Sequence, residues 1–292
     1  MASSVKEIPL IWYQAASCSG DSVSLLNTAS PNVRNVVVDE IVPGVHINLQ
    51  FQMTVMAGQG QPIIDILQTS AETGKGEYLL VVEGAIPTAA NGMMGFAGER
   101  DGKPYTMVEA VDELGRGAMA VMAVGTCAAY GGIFAAEPNP TGAMGVGEFF
   151  ESRGIEKPVI NIPGCPMNPD WFVGAVAHIL LFGMYTAEEL DDVGRPLEFF
   201  GTQIHENCPR RPDFDAGKFA KNPGDEGCLY KLGCKGPITY ADCPLRGFNN
   251  KTNWCIGAGS PCHACTEPEF PDKLSPLYQK VNEERLVRFK MA

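Results

Sequence analysis

Short apolar runs recur through the first 185 residues and alternate with segments in which apolar side chains follow helical spacing. Runs rich in β-branched and aromatic residues predict buried strands, and a spacing of three and four predicts amphipathic helices. We predict strands at residues 8–14, 35–39, 45–50, 78–84, 118–125 and 158–164, and helices at 22–27, 61–73, 107–117, 146–152 and 170–184, with Asp170 as the N-cap of the last helix. This alternation predicts an α/β domain with a doubly wound parallel sheet.

The pattern changes after Arg195-Pro196. Apolar runs become scarce, Gly, Pro and Asn become frequent, and seven of the ten cysteines follow. A segment with little apolar material and many soft ligands is held together by what those ligands bind. We therefore predict two domains, an α/β domain over residues 1–185 and a smaller, largely irregular, ligand-stabilised domain over 186–292.

The charge and the composition of the chain exclude some classes of function. The net charge is −12, which argues against nucleic acid or an anionic membrane as the main partner. The longest apolar stretch, residues 171–185, is too short to span a bilayer, and no secretion signal follows Met1. These features predict a cytoplasmic chain without a transmembrane segment. In that reducing compartment, ten cysteines indicate metal ligation or catalysis rather than disulfides.

Three cysteines and a glutamate share one position relative to the predicted strands. Cys18, Glu83, Cys127 and Cys165 each lie at or just beyond the carboxyl end of a predicted strand. The carboxyl ends of parallel strands form the crevice in which ligands bind, so these side chains are expected to converge. The sequence therefore predicts a shared metal site, against the alternative that the three cysteines are ordinary buried residues.

Grouping the soft ligands by neighbourhood gives three sets of four. The first group is Cys18, Cys127 and Cys165 with Asp21, the second is His205, Cys208, Cys228 and Cys234, and the third is Cys243, Cys255, Cys262 and Cys265. Four ligands suit an Fe–S cubane, in which histidine sometimes replaces a thiolate. Zinc remains an alternative for the second and third groups, since Cys262-x-x-Cys265 would suit it, but zinc leaves the first group unexplained.

Asp21 completes the first group because it stands three residues after Cys18, where a Cys-x-x-Cys pair would place its second thiol. An alternative is that Asp21 only caps the helix that follows, in which case Ser17, Glu83 or water supplies the fourth ligand. Three other histidines are not expected to be ligands: His178 in the core of an apolar helix, His46 as a structural or interface residue, and His263 between two ligands.

The chain resembles the small, electron-transferring subunit of [NiFe] hydrogenases along nearly its whole length. The resemblance rests on Cys18-Ser-Gly-Asp21, Val82-Glu83-Gly84-Ala-Ile-Pro-Thr-Ala-Ala-Asn-Gly92, Gly125-Thr-Cys127-Ala128, Pro138-Asn-Pro-Thr-Gly142, Gly164-Cys165-Pro166, His205-Glu-Asn-Cys208-Pro-Arg, Cys228-Leu-Tyr-Lys-Leu-Gly-Cys234-Lys-Gly-Pro, Asn253-Trp254-Cys255 and Pro261-Cys262-His-Ala-Cys265. It implies a flavodoxin-like first domain. It also implies three clusters, with the first group proximal, the third medial and the second distal.

Two positions depart from the family's common pattern. The family usually has a second cysteine at the position of Asp21, and a carboxylate there is a harder ligand that should alter the cluster's potential. Many members have proline at the position of Cys255 and hold a [3Fe–4S] medial cluster, whereas Cys255 supplies a fourth thiolate and implies [4Fe–4S]. With aspartate at position 21, the chain resembles the oxygen-tolerant, high-affinity group of hydrogenases found in actinobacteria.

The resemblance implies oxidation of H2 by a heterodimer. This chain has only one Cys-x-x-Cys pair, so the Ni–Fe centre belongs to a partner, the large subunit. Electrons would pass through three [4Fe–4S] clusters to an acceptor protein or quinone-linked chain, and a dimer of heterodimers is compatible with this. Glu83 is a candidate for proton traffic or support of the proximal cluster, and the Met-rich loop at 91–98 for contact with the large subunit. Two alternatives remain open: the cluster-binding subunit of a complex I-like oxidoreductase and a zinc-stabilised binding module.

Overall fold

The computed structural model describes residues 6–37, 39 and 44–280. The chain divides into two compact units, one ending at Thr186 and one beginning at Ala187. The strands are β1 Lys6–Gln14, β2 Val45–Gln52, β3 Leu79–Glu83, β4 Ile86–Pro87, β5 Phe96–Arg100, β6 Lys103–Thr106, β7 Ala120–Val124, β8 Ala143–Met144 and β9 Val159–Ile162. The α-helices are α1 Gly20–Leu25, α2 Val33–Val37, α3 Gln61–Thr73, α4 Met107–Gly117, α5 Gly125–Tyr130, α6 Val146–Arg153, α7 Pro169–Phe182, α8 Leu197–Phe200, α9 Arg211–Asp215 and α10 Cys243–Arg246.

The first unit is organised around a five-stranded sheet in which all neighbouring strands are parallel. The strand order is β2-β1-β3-β7-β9, the flavodoxin-like order of doubly wound sheets. Every residue of β3 and β7 is buried, which explains why their sequences are continuous apolar runs rather than alternating ones. The predicted α/β class with a parallel sheet is confirmed.

Helices cover this sheet because each carries an apolar stripe. Helix α4 begins with a capping box, in which the Thr106 hydroxyl accepts from the backbone N–H of Glu109 and the Glu109 carboxylate accepts from that of Thr106. Val111 and Leu114 of the same helix are fully buried against the sheet. Helix α3 packs on α4, and α1 packs on α7.

Four local predictions are corrected. Residues 35–37, predicted as strand, belong to α2, and Val38 lies outside the described residues. The N-cap of α7 is Asn168, whose side chain accepts from the N–H of Asp170. Asp21 is not a cap either, because Ser19 occupies that position and Asp21 lies in the first turn of α1. The predicted loop around 91–98 contains the start of the β5–β6 hairpin.

The second unit has short helices and turns in its described part, to residue 280, and a small apolar cluster of Ala264, Phe270 and Leu274. A buried ion-pair network connects the beginning of this unit to residues 266–267. The Arg195 guanidinium pairs with Asp191 at 2.7 Å and with Glu267 at 3.0 Å, and it donates to the Thr266 carbonyl. Across the described ranges, no helix combines the length and apolarity needed to cross a bilayer.

Candidate functional site

The first group lies at one edge of the parallel sheet. Gln14, Glu83, Val124 and Ile162 are register partners across four neighbouring strands, so these strands end in one row. The segments that follow β1, β7 and β9 carry Cys18, Cys127 and Cys165, with Cys127 inside helix α5. The three cysteines therefore lie at the same edge of the sheet.

The side chains of the first group influence one another's pKa. Burial raises the pKa of the Cys165 thiol to about 11, and Cys127, Asp21 and Cys18 contribute to the increase. Burial likewise raises the pKa of Cys127, while the backbone N–H groups of Ile133 and Phe134 oppose the shift. Crowded, partly buried thiols need a positive partner to ionise, and a bound metal supplies one because it deprotonates its thiol ligands. The first group therefore fits a metal cluster.

Asp21 lies inside this group. Its Oδ1 accepts a 2.7 Å hydrogen bond from the N–H of Met167, two residues beyond Cys165, and its carboxylate rests against Gly125, two residues before Cys127. Burial raises its pKa to about 7, with the Met167 hydrogen bond opposing the shift and Glu83 adding to it. Asp21 is thus a buried carboxyl between the ligand loops rather than a helix cap.

Glu83 fixes the loop that carries Cys18 and Asp21. It is fully buried, and both of its carboxylate oxygens accept several hydrogen bonds. Oε1 accepts from Ser17 Oγ at 3.0 Å, Asp21 N at 3.1 Å and Ser22 N at 3.4 Å, while Oε2 accepts from Trp12 Nε1 at 2.8 Å, Gln14 Nε2 at 3.0 Å and Ser22 Oγ. Ser17 and Glu83, which were the alternatives to Asp21 as fourth ligand, are therefore hydrogen-bonded to each other.

The third group converges within the second unit. Burial raises the pKa of Cys243 well above its usual value, and Cys265, Cys262 and Cys255 each add to the shift, so all four thiols lie within electrostatic reach. Cys243 and Cys262 are buried, Cys265 is half-buried and Cys255 is exposed.

The second group is assembled from three turns. Burial raises the pKa of Cys234, and Cys208 and Cys228 raise it further. The backbone of His205 contacts this group, because its N–H donates to the Gly236 carbonyl. The imidazole of His205 packs edge-on against Phe214, with the ring centroids 4.7 Å apart. Burial lowers the pKa of His205, as does Arg211, while Asp215 opposes them. The net shift favours the neutral imidazole, which is the form that binds metal.

Backbone N–H groups face the sulfurs in a repeated pattern. Each of four sulfurs accepts from the N–H two residues further along the chain: Cys208 from Arg210, Cys228 from Tyr230, Cys234 from Gly236 and Cys262 from Ala264. Such donors stabilise negative charge on sulfur and tune the potential of a cluster.

The three remaining histidines lie outside these groups or beside them. His178 stacks on Tyr185 at 3.9 Å, and Nδ1 of His46 lies 3.5 Å from the Asp39 carbonyl. His263 packs against Tyr278, and burial lowers its pKa. Within the described ranges, no three Cys, His, Asp or Glu side chains have the spacing of a site for one metal ion. In a cubane, by contrast, each ligand binds a different iron atom.

Two features of the site were not predicted from the sequence. The N–H of Met167 that contacts Asp21 is a backbone group, which side-chain patterns do not reveal. Lys235, adjacent to Cys234, is a fully buried cation, and a single lysine in a turn normally predicts an exposed side chain.

Comparison with known proteins identifies the family. Residues 200–278 match the family described as the C-terminal part of the NiFe/NiFeSe hydrogenase small subunit, and residues 18–179 match the NADH ubiquinone oxidoreductase 20 Kd subunit family. The periplasmic [NiFeSe] hydrogenase small subunit of Desulfomicrobium baculatum is 45% identical over 95% of this chain and 89% of its own length. The chain belongs to the small subunits of [NiFe] hydrogenases.

Solved hydrogenases share the fold of this small subunit. The [NiFeSe] hydrogenase of Desulfovibrio vulgaris Hildenborough matches with a TM-score of 0.87 and 44% identity, covering 94% of this chain and 98% of the other. The actinobacterial-type NiFe-hydrogenase of Ralstonia eutropha H16 matches with a TM-score of 0.86 and 31% identity, covering 100% and 88%. The match over 200–278 contains the second and third groups, which favours the hydrogenase over the complex I-like alternative.

Proposed function

We propose that this hydrogenase chain conducts electrons from H2 oxidation in the large subunit through three [4Fe–4S] clusters to an external acceptor. The observation that carries the proposal is the division of all ten cysteines, with Asp21 and His205, into three local groups of four. Each cluster would supply a site that gains and loses one electron. The chain's own residues hold these sites and set their surroundings.

The first group is proposed as the entry site because two of its thiols are exposed on this chain. Cys18 and Cys165 are exposed, and so are Val23 and Leu26 at the neighbouring helix α1. Exposed thiols next to exposed apolar side chains are suited to burial under a partner. Met93, Met94 and Phe96, in the segment 91–98, present further apolar surface for the large subunit.

The third group is proposed to hold a four-iron medial cluster. Cys255 is within electrostatic reach of Cys243, so a fourth thiolate is available. Protein purified without air should therefore give no stoichiometric three-iron EPR signal when oxidised. Cys255→Pro should produce that signal and lower the iron content by about one atom, because a three-iron cluster lacks one corner. A full three-iron signal in the unmodified protein would contradict this assignment.

Asp21 is proposed as the fourth ligand of the proximal cluster. A carboxylate is a harder ligand than a thiolate, so Asp21→Cys should keep the iron and shift the proximal potential. Asp21→Ala should lower the iron content, because it removes the ligand and the acceptor of the Met167 N–H. Asp112→Ala is a control in which only a surface ion pair with Arg116 is lost. Unchanged iron and potential in both Asp21 variants would show that Asp21 is not a ligand.

We also propose that the chain is cytoplasmic and belongs to the oxygen-tolerant group. Asp21 and the full-length match to the actinobacterial-type structure support membership of the oxygen-tolerant group. Relatives that are named periplasmic are more similar in sequence. Ten cysteines that group as cluster ligands rather than as disulfide pairs suit a reducing compartment. Cell fractionation tests the location, and activity measured under air tests the oxygen response.

The proposed function is tested with the heterodimer. The small subunit is purified together with its large subunit, and H2-dependent reduction of a dye is followed. The heterodimer should reduce the dye, and the small subunit by itself should not. Cys127→Ala should largely abolish reduction by removing a thiolate from the entry site. Full activity in that variant would contradict the proposed relay, which is the passage of electrons through the three clusters.

A further inference from the structure

The second and third groups meet at one short backbone contact. The N–H of Cys262, from the third group, donates to the sulfur of Cys234, from the second group, at 3.4 Å. In return, the N–H of Lys235 donates to the carbonyl of Cys262 at 2.9 Å. The residue after Cys234 is therefore fixed between a ligand of one site and a ligand of the other.

The side chain at this point is a buried lysine. Lys235 is 1% exposed, and its ammonium donates to the carbonyl oxygens of Gly233 at 3.0 Å, Leu277 at 2.8 Å and Gln279 at 3.4 Å. In the part of the chain that the structure describes, it forms no ion pair with a carboxylate. Burial lowers the pKa of Lys235, and the nearby Cys262 and Cys234 oppose that shift. Burial also lowers the pKa of His263, and Lys235 adds to the decrease.

A lysine without a carboxylate partner is costly to bury. Carbonyl dipoles offset only part of the desolvation of an ammonium, so such a residue usually has a nearby negative charge. Among the described residues, Cys234 and Cys262 would supply negative charge next to Lys235 as thiolate ligands of bound clusters. Burial makes the interaction stronger than at a surface, because solvent screens it less.

We propose that Lys235 is a positioning residue of the relay: it places one positive charge near both the medial and the distal site and raises the reduction potentials of both. This inference rests on the proposed function. Reduction adds one electron to a site, and a fixed positive charge nearby stabilises the reduced form. When an electron passes from the medial to the distal site, one is oxidised and the other is reduced by the same electron, and Lys235 exchanges neither proton nor electron.

The test is an EPR-monitored redox titration of the intact heterodimer, with iron content measured on each sample. Lys235→Gln removes the charge but can still donate to the carbonyl oxygens, Lys235→Met keeps only the aliphatic stem, and Lys235→Arg keeps the charge. Lys231→Gln is the matched control, because Lys231 is exposed and lies four residues away. We expect the potentials of both sites to become more negative in the Gln and Met variants and to recover in the Arg variant. Lys231→Gln should leave them near the unmodified values.

The outcomes separate this proposal from the function on which it rests. Full iron with unchanged potentials in a neutral Lys235 variant would overturn the role of Lys235 and leave the relay intact. Loss of iron from both neutral variants would also overturn it, because Lys235 would then be needed to build the sites rather than to tune them. An unmodified heterodimer with no iron beyond that of the Ni–Fe centre would overturn the relay itself.

Discussion

Glu83→Gln should destabilise the first unit by about 1–3 kcal/mol for each buried donor that loses its acceptor. Three donors face each carboxylate oxygen, so neither orientation of a glutamine amide avoids placing its NH2 group against donors. The loop from Ser17 to Ser22 should then lose its anchor. We expect iron content to fall by up to one cluster, and amides at 17–25 to exchange hydrogen faster, as measured by mass spectrometry on the heterodimer.

Glu113→Gln is the matched control for this variant. Glu113 pairs with Arg100 at 2.9 Å, but its side chain is about a third exposed, and such pairs contribute about 0–1 kcal/mol. Its effect on iron content and on exchange at 17–25 should be negligible. Equal effects from the two variants would show that Glu83 is an ordinary strand-end carboxylate and does not support the site.

Gly125→Ala should be equally damaging, for steric reasons. Gly125 has φ +81, and a Cβ there would lie 2.7 Å from Cγ of Asp21. Left-handed backbone costs an L-residue about 1–2 kcal/mol, and forcing the buried Asp21 aside adds about 1–3 kcal/mol. Because Gly125 and Cys127 belong to the same short helix, α5, the segment that carries Cys127 must move. We expect loss of proximal iron together with a lower midpoint of thermal unfolding.

Gly147→Ala provides the comparison. A Cβ at Gly147 meets nothing within 4 Å, and the residue lies in helix α6, where alanine is favoured over glycine by about 0.5–1 kcal/mol. This variant should keep its iron and unfold at the same or a slightly higher temperature. Retention of full proximal iron in Gly125→Ala would mean that Asp21 and its loop tolerate displacement, which would argue against a tight ligand position.

The sheet and the first group were predictable because both follow from local patterns. Continuous apolar runs such as β3 identify buried strands, and the carboxyl ends of parallel strands lie at one edge wherever the strands are in the sheet. Residues 35–37 show the limit of that approach. Three valines after Asn35 suggest a strand, but residues 35–37 belong to helix α2, since tertiary context overrides β-propensity in short segments.

The surroundings of the thiols could not be derived from the sequence in the same way. Nothing in the spacing of Trp12, Gln14 and Glu83 shows that they share one hydrogen-bonded network, because the network depends on strand register. Asp21 stands at a position typical of a helix cap, and only its contact with the Met167 N–H shows that it faces the ligand loops. Lys235 is buried because the chain returns at Leu277 and Gln279 to supply carbonyl oxygens.

The most direct test of the electron relay is an elemental analysis. Iron, acid-labile sulfide and zinc should be quantified in the heterodimer purified without air, with the nickel and iron of the Ni–Fe centre in the partner counted separately. Three cubanes in this chain predict about twelve iron and twelve sulfide per small subunit, a brown colour and negligible zinc. A colourless protein with zinc and no sulfide would contradict the account, because the three ligand groups would then hold no electron-carrying clusters.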